Sequence, residues 1–131
     1  MTNPVYPAST RKVLLVDDEQ FNLDLLRLAL PARQYQLSYA AQGQAALMQI
    51  HDDKPDLILL DILMPGLTGI DLCTLLKHNP QTADIPVIML SGLDSPADAR
   101  AATAAGALGL IPKPFSAQHI LWQIEQLAGW G

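Results

Sequence analysis

Three aspartates, a serine and a lysine carry the chemistry that this sequence can offer. Asp17 and Asp18 follow the apolar run 13–16, Asp61 follows 57–60, Ser91 follows a run ending at Leu90, and Lys113 stands two residues after the run 108–111. The stretch LILLDILMPGLTG, residues 57–69, shows how such a group is presented. Four apolar residues are too few for a helix and read as a strand buried on both faces. Met64, Pro65, Gly66 and Gly69 then supply a loop that cannot continue a strand, so the Asp61 carboxylate is held on a rigid element and aimed outward. Taken singly, each residue has a plain explanation: Asp18 and Ser91 could cap helices, and Lys113 could be a solvated loop charge. Taken together at the ends of parallel strands, they would meet in one crevice. Three carboxylates there repel one another and raise each other's pKa unless a cation neutralises them. Magnesium suits such a place, because it is a hard ion satisfied by carboxylates, a backbone carbonyl, waters and a phosphate oxygen. Ser91 can donate to a phosphoryl oxygen and Lys113 can pair with its charge, so the constellation fits a phosphoryl group.

The elements that must position these groups are read from apolar periodicity and chain breakers. Strands are expected over 13–16, 35–40, 56–60, 85–90 and 108–111, the fourth beginning beside Pro86 and the fifth closed by Pro112. The first helix follows Glu19, buries Phe21, Leu25, Leu28 and Ala29 on one face, and stops at Pro31. A second, 44–51, buries Ala46, Leu47 and Ile50 before Pro55. A third starts at Thr68 as N-cap and presents Leu72, Leu75 and Leu76 to the core. A fourth, 96–105, closes at Gly106 as a left-handed cap, and the last, 116–128, buries Ile120, Leu121, Ile124 and Leu127. Five strand and helix pairs in strict alternation imply an α/β, doubly wound parallel sheet covered on both faces, with ligands held outside the carboxyl ends of its strands.

Composition narrows the function further. A chain of 131 residues reads as one domain: a flexible N-terminal arm, 1–10, which is proline-containing and without periodicity, and a folded part, 11–131. A net charge of −5 with 8 Lys and Arg disfavours direct nucleic acid binding, which needs clustered positive charge. No lysine- or arginine-led apolar leader opens the chain and no stretch approaches the roughly 20 apolar residues that cross a bilayer, so no membrane role and a cytoplasmic location are expected. The single cysteine, Cys73, lies in a helical apolar pattern and reads as a small buried hydrophobe in a reducing compartment. His51, His78 and His119 show no ligand spacing.

The residues Asp17 and Asp18 after an apolar strand, Asp61 in DILMPGLTG, Ser91 and Gly92 after VIML, and Lys113 in KPF give the chain a family likeness. From about Arg11 to Ala128 it resembles the receiver domain of bacterial two-component response regulators. The resemblance implies a flavodoxin-like sheet of order 2-1-3-4-5 with five helices. It implies a phosphorylation-controlled signalling module in which Asp61 accepts a phosphoryl group from a sensor histidine kinase or a histidine phosphotransfer protein. Mg2+ would then be held by Asp17, Asp18, Asp61 and the backbone carbonyl of Leu63, with Lys113 and Ser91 on the phosphoryl oxygens. The bond from Lys113 to Pro114 is expected to be cis. The resemblance implies no enzyme beyond catalysis of its own phosphoryl transfer and self-dephosphorylation, the latter expected to be slow because here Leu63 and Leu93 occupy the positions that flank the attacking water. Neither can hydrogen-bond it.

This chain departs from the family pattern at Leu110, where an aromatic switch residue is usual, at Ser91, where threonine is frequent, and at Thr68, where an acid is frequent. Two alternatives stand beside the leading reading. One is a magnesium-dependent phosphohydrolase with an aspartyl-phosphate intermediate. Those of the haloacid dehalogenase type space their two acids two residues apart, which adjacent Asp17 and Asp18 do not match. The other is a receiver-like scaffold that works without phosphorylation. On the last helix, Trp122, Gln126 and Trp130 at helical spacing point outward in this reading and offer an apolar contact for a second copy or a downstream output domain.

Overall fold

Side chains alternate across each strand, and that alternation sorts the core into two layers. In the computed structural model, which describes residues 10–92 and 96–130, the strands are β1 (Arg11–Val16), β2 (Tyr35–Ala40), β3 (Leu57–Asp61), β4 (Val87–Ser91) and β5 (Gly109–Pro112). All pair in parallel, in the order β2-β1-β3-β4-β5. Between and after them lie α1 (Gln20–Ala29), α2 (Gly43–Asp52), α3 (Gly69–His78), α4 (Pro96–Ala105) and α5 (Ile120–Ala128). Val13, Leu15, Leu57, Leu59, Ile88 and Leu90 face one side and pack with Leu23 and Leu26 of α1 and Ile120 and Ile124 of α5. Leu14, Val16, Ile58, Leu60, Val87 and Met89 face the other, against Ala46 and Ile50 of α2, Leu72, Cys73 and Leu76 of α3 and Ala102 of α4. The doubly wound order 2-1-3-4-5 is thus the observed one.

The register places the acids side by side. Val16 aligns with Leu60 across β1 and β3, so the next residues, Asp17 and Asp61, leave the sheet as neighbours. Between these strands the chain order reverses, which is where a crevice opens in such sheets. Ser91 aligns with Pro112 across β4 and β5, and the Lys113 N–H donates to the Ser91 carbonyl at 2.6 Å.

Several expectations are corrected. The buried face of α1 is Asn22, Leu23 and Leu26, whereas Phe21 and Leu28 are 65% and 80% exposed. Both sets have helical spacing in a leucine-rich segment; the rotation is fixed by the buried Asn22 amide, which donates to Asp17 Oδ2 at 2.8 Å. Leu75 is exposed, and α3 buries Leu72, Cys73 and Leu76. Leu121 and Leu127 are half-buried against the core. Asp61 and Ser91 are the last residues of their strands, the ladder continuing one residue further than the apolar runs. β4 starts at Val87, after Pro86, which has no N–H to give. β5 starts at Gly109 and includes Pro112 at the sheet edge. Before α5 comes a turn in which Ser116 accepts from the N–H groups of His119 and Ile120, so the helix begins four residues later than its periodicity suggests.

Trp130 does not point outward. Gly129, at φ 73°, turns the chain back in the left-handed region, and the half-buried ring lies 4.2 Å from the Arg11 guanidinium and 6.1 Å from the Tyr35 ring. Trp122, at 62%, and Gln126 keep the exposure expected of that face. Thr68 does cap α3, accepting from the Asp71 N–H at 3.2 Å, and Gly106, at φ 101°, closes α4. The Lys113 to Pro114 bond is cis. The arm expected at residues 1–10 lies, apart from Thr10, outside the described residues, as does Leu93. No helix of the described residues is long and apolar enough to cross a membrane.

Candidate functional site

The carboxyl ends of β1 and β3 bring Asp17 and Asp61 to one lysine. Lys113, on the loop after β5, holds Nζ 3.3 Å from Asp17 Oδ2 and 3.3 Å from Asp61 Oδ2, with Glu19 Oε1 at 3.5 Å. Asp17 and Asp61 are both buried. Asp17 is held through both oxygens: Oδ1 accepts from the Glu19 N–H at 2.9 Å, and Oδ2 from Asn22 and Lys113. Asp61 Oδ1 accepts from the Leu63 N–H at 3.2 Å, which ties the loop that follows back to the carboxylate.

That loop is shaped by glycine. Gly66 takes a positive φ of 76°, and a Cβ on Gly69 would overlap the Asp61 backbone carbonyl. The chain therefore folds back onto the end of β3 and starts α3 there, with the Gly69 N–H donating to the Ile62 carbonyl at 3.0 Å. Asp61 is fixed from both sides, by its ladder and by this return.

Electrostatics follow from the crowding. Burial, reinforced by the Asp17 charge, pushes the Asp61 carboxyl up to about 6, against the opposing pull of Lys113 and the Leu63 N–H. Burial works against the Lys113 ammonium, but Asp17 and Asp61 outweigh it and hold its pKa above the usual value. The lysine is charged at neutral pH and stands between two acids, of which Asp61 retains a raised proton affinity.

Asp18 is exposed beside Asp17, and the carboxylate oxygens of Asp17, Asp18 and Glu19 lie within 4.8 Å of one another. An all-oxygen group of acids facing a single lysine matches what a hard divalent cation requires, so the residues present fit magnesium. The geometric cluster includes Glu19, where the sequence reading places Asp61 and the Leu63 carbonyl. Ser91 is buried at the end of β4, and its hydroxyl donates to Asp98 Oδ2 at 3.0 Å. Leu63 is 59% exposed next to the carboxylate that its backbone holds. Leu110, at the position of the missing aromatic, is partly buried against the core on the α3 and α4 side.

Three residues of the site were not found by sequence reasoning. Glu19 directly follows the acid pair and could have been included on adjacency alone. Asn22 breaks an apolar helix pattern five residues after Asp17, and a polar residue at an inward position is the signal that was available. Asp98 gives no such signal, because an acid in the first turn of a helix is ordinary.

Comparison with known proteins agrees with this fold. The family model described as the response regulator receiver domain matches residues 13–125. The response regulator PleD of Caulobacter vibrioides is 36% identical over 116 residues, covering 88% of this chain and 26% of PleD. The phosphate regulon transcriptional regulatory protein PhoB of Rhizobium meliloti is 31% identical over 116 residues, covering 88% of this chain and 51% of that protein. The chain thus spans between a quarter and half of these curated relatives. Among solved structures, a putative response regulator from Chloroflexus aurantiacus superposes with a TM-score of 0.84 at 31% identity, covering 92% of this chain and 98% of that one. The chemotaxis protein CheY4 of Vibrio cholerae gives 0.83 at 29% identity, with coverage of 90% and 98%.

Proposed function

The chain belongs to the response regulator receiver family, and from that premise we propose that it is a signalling module switched by phosphorylation of Asp61. In this reading residues 11–131 form the receiver domain, and a sensor histidine kinase or a histidine phosphotransfer protein is the donor. The observation that carries it is the shared lysine: Lys113 stands 3.3 Å from both buried carboxylates, Asp17 and Asp61, at the sheet's switch point.

The chemistry follows from those positions. An Asp61 carboxylate oxygen attacks the phosphorus atom of the donor's phosphohistidine. As the new P–O bond forms, the P–N bond breaks and its electron pair returns to the imidazole nitrogen. Lys113 already faces Asp61 and can follow the charge onto a phosphoryl oxygen, while the Ser91 hydroxyl donates to another. Asn22 and the Glu19 N–H keep Asp17 from turning away. Asp17, Asp18 and Asp61, with the Leu63 carbonyl and Glu19 nearby, would hold Mg2+, and each Oδ1 that accepts one backbone N–H has a second lone pair for it. When bound, the ion supplies neutralisation of the phosphoryl oxygens. Leu63 offers no group that could orient an attacking water, which supports a long-lived phosphoryl group and slow self-dephosphorylation. The partner acting on the output side is a downstream domain or a second copy, reached through the last helices, where Trp122 is exposed.

Incubation with acetyl phosphate and Mg2+, followed by intact mass measurement, tests the assignment. The parent gains one phosphoryl group, Asp61→Asn gains none, and Asp18→Asn requires more magnesium. Uptake by Asp61→Asn at the parent rate would show that the nucleophile lies elsewhere.

A further inference from the structure

Two histidines far apart in sequence line one groove. His51 stands in the last turn of α2 and His78 is the last residue of α3, and both border a groove of about 570 Å³ whose apolar lining is Leu47, Ile50, Leu75 and Leu76. Helices that connect parallel strands run back against them, so this groove opens at the edge where the strands start, opposite Asp61. It is separate from the acids described above.

Each ring is turned so that the same nitrogen is left for a ligand. His78 Nδ1 lies 2.7 Å from the Thr74 carbonyl, an atom that can only accept, so Nδ1 carries the proton and Nε2 keeps its lone pair. His51 Nδ1 lies 3.5 Å from Asp52 Oδ1, again an acceptor, which favours the same tautomer. An imidazole that donates through one nitrogen to a carbonyl or carboxylate and offers the other is the arrangement that stands behind metal-bound histidines. The surroundings favour a cation as well, because the carboxyl ends of two helices, each the negative end of its dipole, border the groove. Lys54 on the rim would oppose a cation, but its ammonium is paired with Asp84 at 2.9 Å. We propose that His51 and His78 bind a divalent transition ion, Zn2+ in the first instance, through their Nε2 atoms, and so clamp the carboxyl end of α2 to that of α3.

The two ends of the sheet then select different metals. Imidazole suits zinc, copper and nickel, whereas the oxygen ligands at the Asp61 end suit magnesium. Among the described residues the one ready group of three acids, histidines or cysteines is that of Asp17, Asp18 and Glu19, so the two imidazoles leave the other positions on zinc to water. The His51 side chain is 83% exposed and can turn across the groove. Nothing in this site depends on phosphorylation of Asp61.

Calorimetric titration of the untagged chain with zinc, in excess magnesium to occupy the acids, tests the clamp. The parent should take up one Zn2+ per chain. His51→Ala and His78→Ala should each weaken binding by more than about tenfold, because even a partner behind a metal-bound histidine is worth about ten- to a hundredfold. His119→Ala should bind as the parent does, since that ring lies with Ser116 before α5. In nitrogen-detected spectra of the imidazoles, zinc should shift Nε2 of both His51 and His78 while their Nδ1 protons are retained. Parent affinity in either single variant would overturn the proposal, because the ion would then be held by one imidazole or by the acids. Zinc-induced dimers in sedimentation would overturn it too, since the ion would be joining two copies rather than two helices of one chain.

Discussion

The Asp61 carboxyl is the residue whose environment departs furthest from that of a free side chain. Its folded pKa is raised to about 6 from 3.8, with burial the main cause and the Asp17 charge the second. A carboxyl raised in this way stabilises the fold fully below its unfolded pKa, and that contribution is lost as pH rises through the folded value. Above about pH 6, therefore, the ionised site strains the resting fold. Asp61→Asn should stabilise the metal-free protein by about 2–3 kcal/mol at pH 7.5, following from the gap between the folded and unfolded values. The difference should shrink through pH 6 to 4 and vanish below that. Thermal unfolding in the presence of a chelator across this range would check it, and a constant difference at all pH values would show that Asp61 ionisation is not the cause. The site therefore suits a divalent cation, which would oppose both the cost of burying the Asp61 charge and its repulsion by Asp17.

At the scale of the elements, rotation and termination were harder to read than existence. α1 turns its leucines according to one buried amide, Asn22 on Asp17, which leaves Phe21 and Leu28 exposed on its outer face. α5 ends at a glycine with positive φ that sends Trp130 back over Arg11 and Tyr35. Tyr35 in turn donates to Glu125 of α5 at 3.1 Å, so the sheet edge and the last helix are joined by one small cluster. Trp130→Ala should accordingly cost about 1–2 kcal/mol, from the lost ring contacts and cation–π attraction. Trp122→Ala, at an exposed position, should stay within about 0.5 kcal/mol. Denaturant titration of the two variants separates them, and equal losses would mean that the Trp130 contacts contribute nothing in solution.

Over the whole molecule, the central strands serve two cores at once, one with α1 and α5 and one with α2, α3 and α4. Leu59 on the first face is fully buried, and Leu59→Ala should cost about 2–5 kcal/mol by transfer and cavity terms. Unfolding should remain a single cooperative transition, because both layers hang on the same strands; two separate transitions in denaturant would show that they do not. Alternating apolar runs, proline and glycine breaks, and acids at the ends of the runs were enough to determine the α/β class, the number and order of elements, and the placing of Asp17, Asp61, Ser91 and Lys113 at one edge. Those features are local, since each run decides its own strand and parallel strands carry their ends together. What only the tertiary structure decided is what depends on partners distant in sequence. The lysine from the loop after β5 meets acids after β1 and within β3, at separations of 96 and 52 residues. Asn22 earns its inward position from Asp17, Trp130 folds onto Arg11, and Ser91 finds Asp98. In each case two or more helical phases or rotamers satisfy the local pattern equally, and a single contact formed only on folding selects among them.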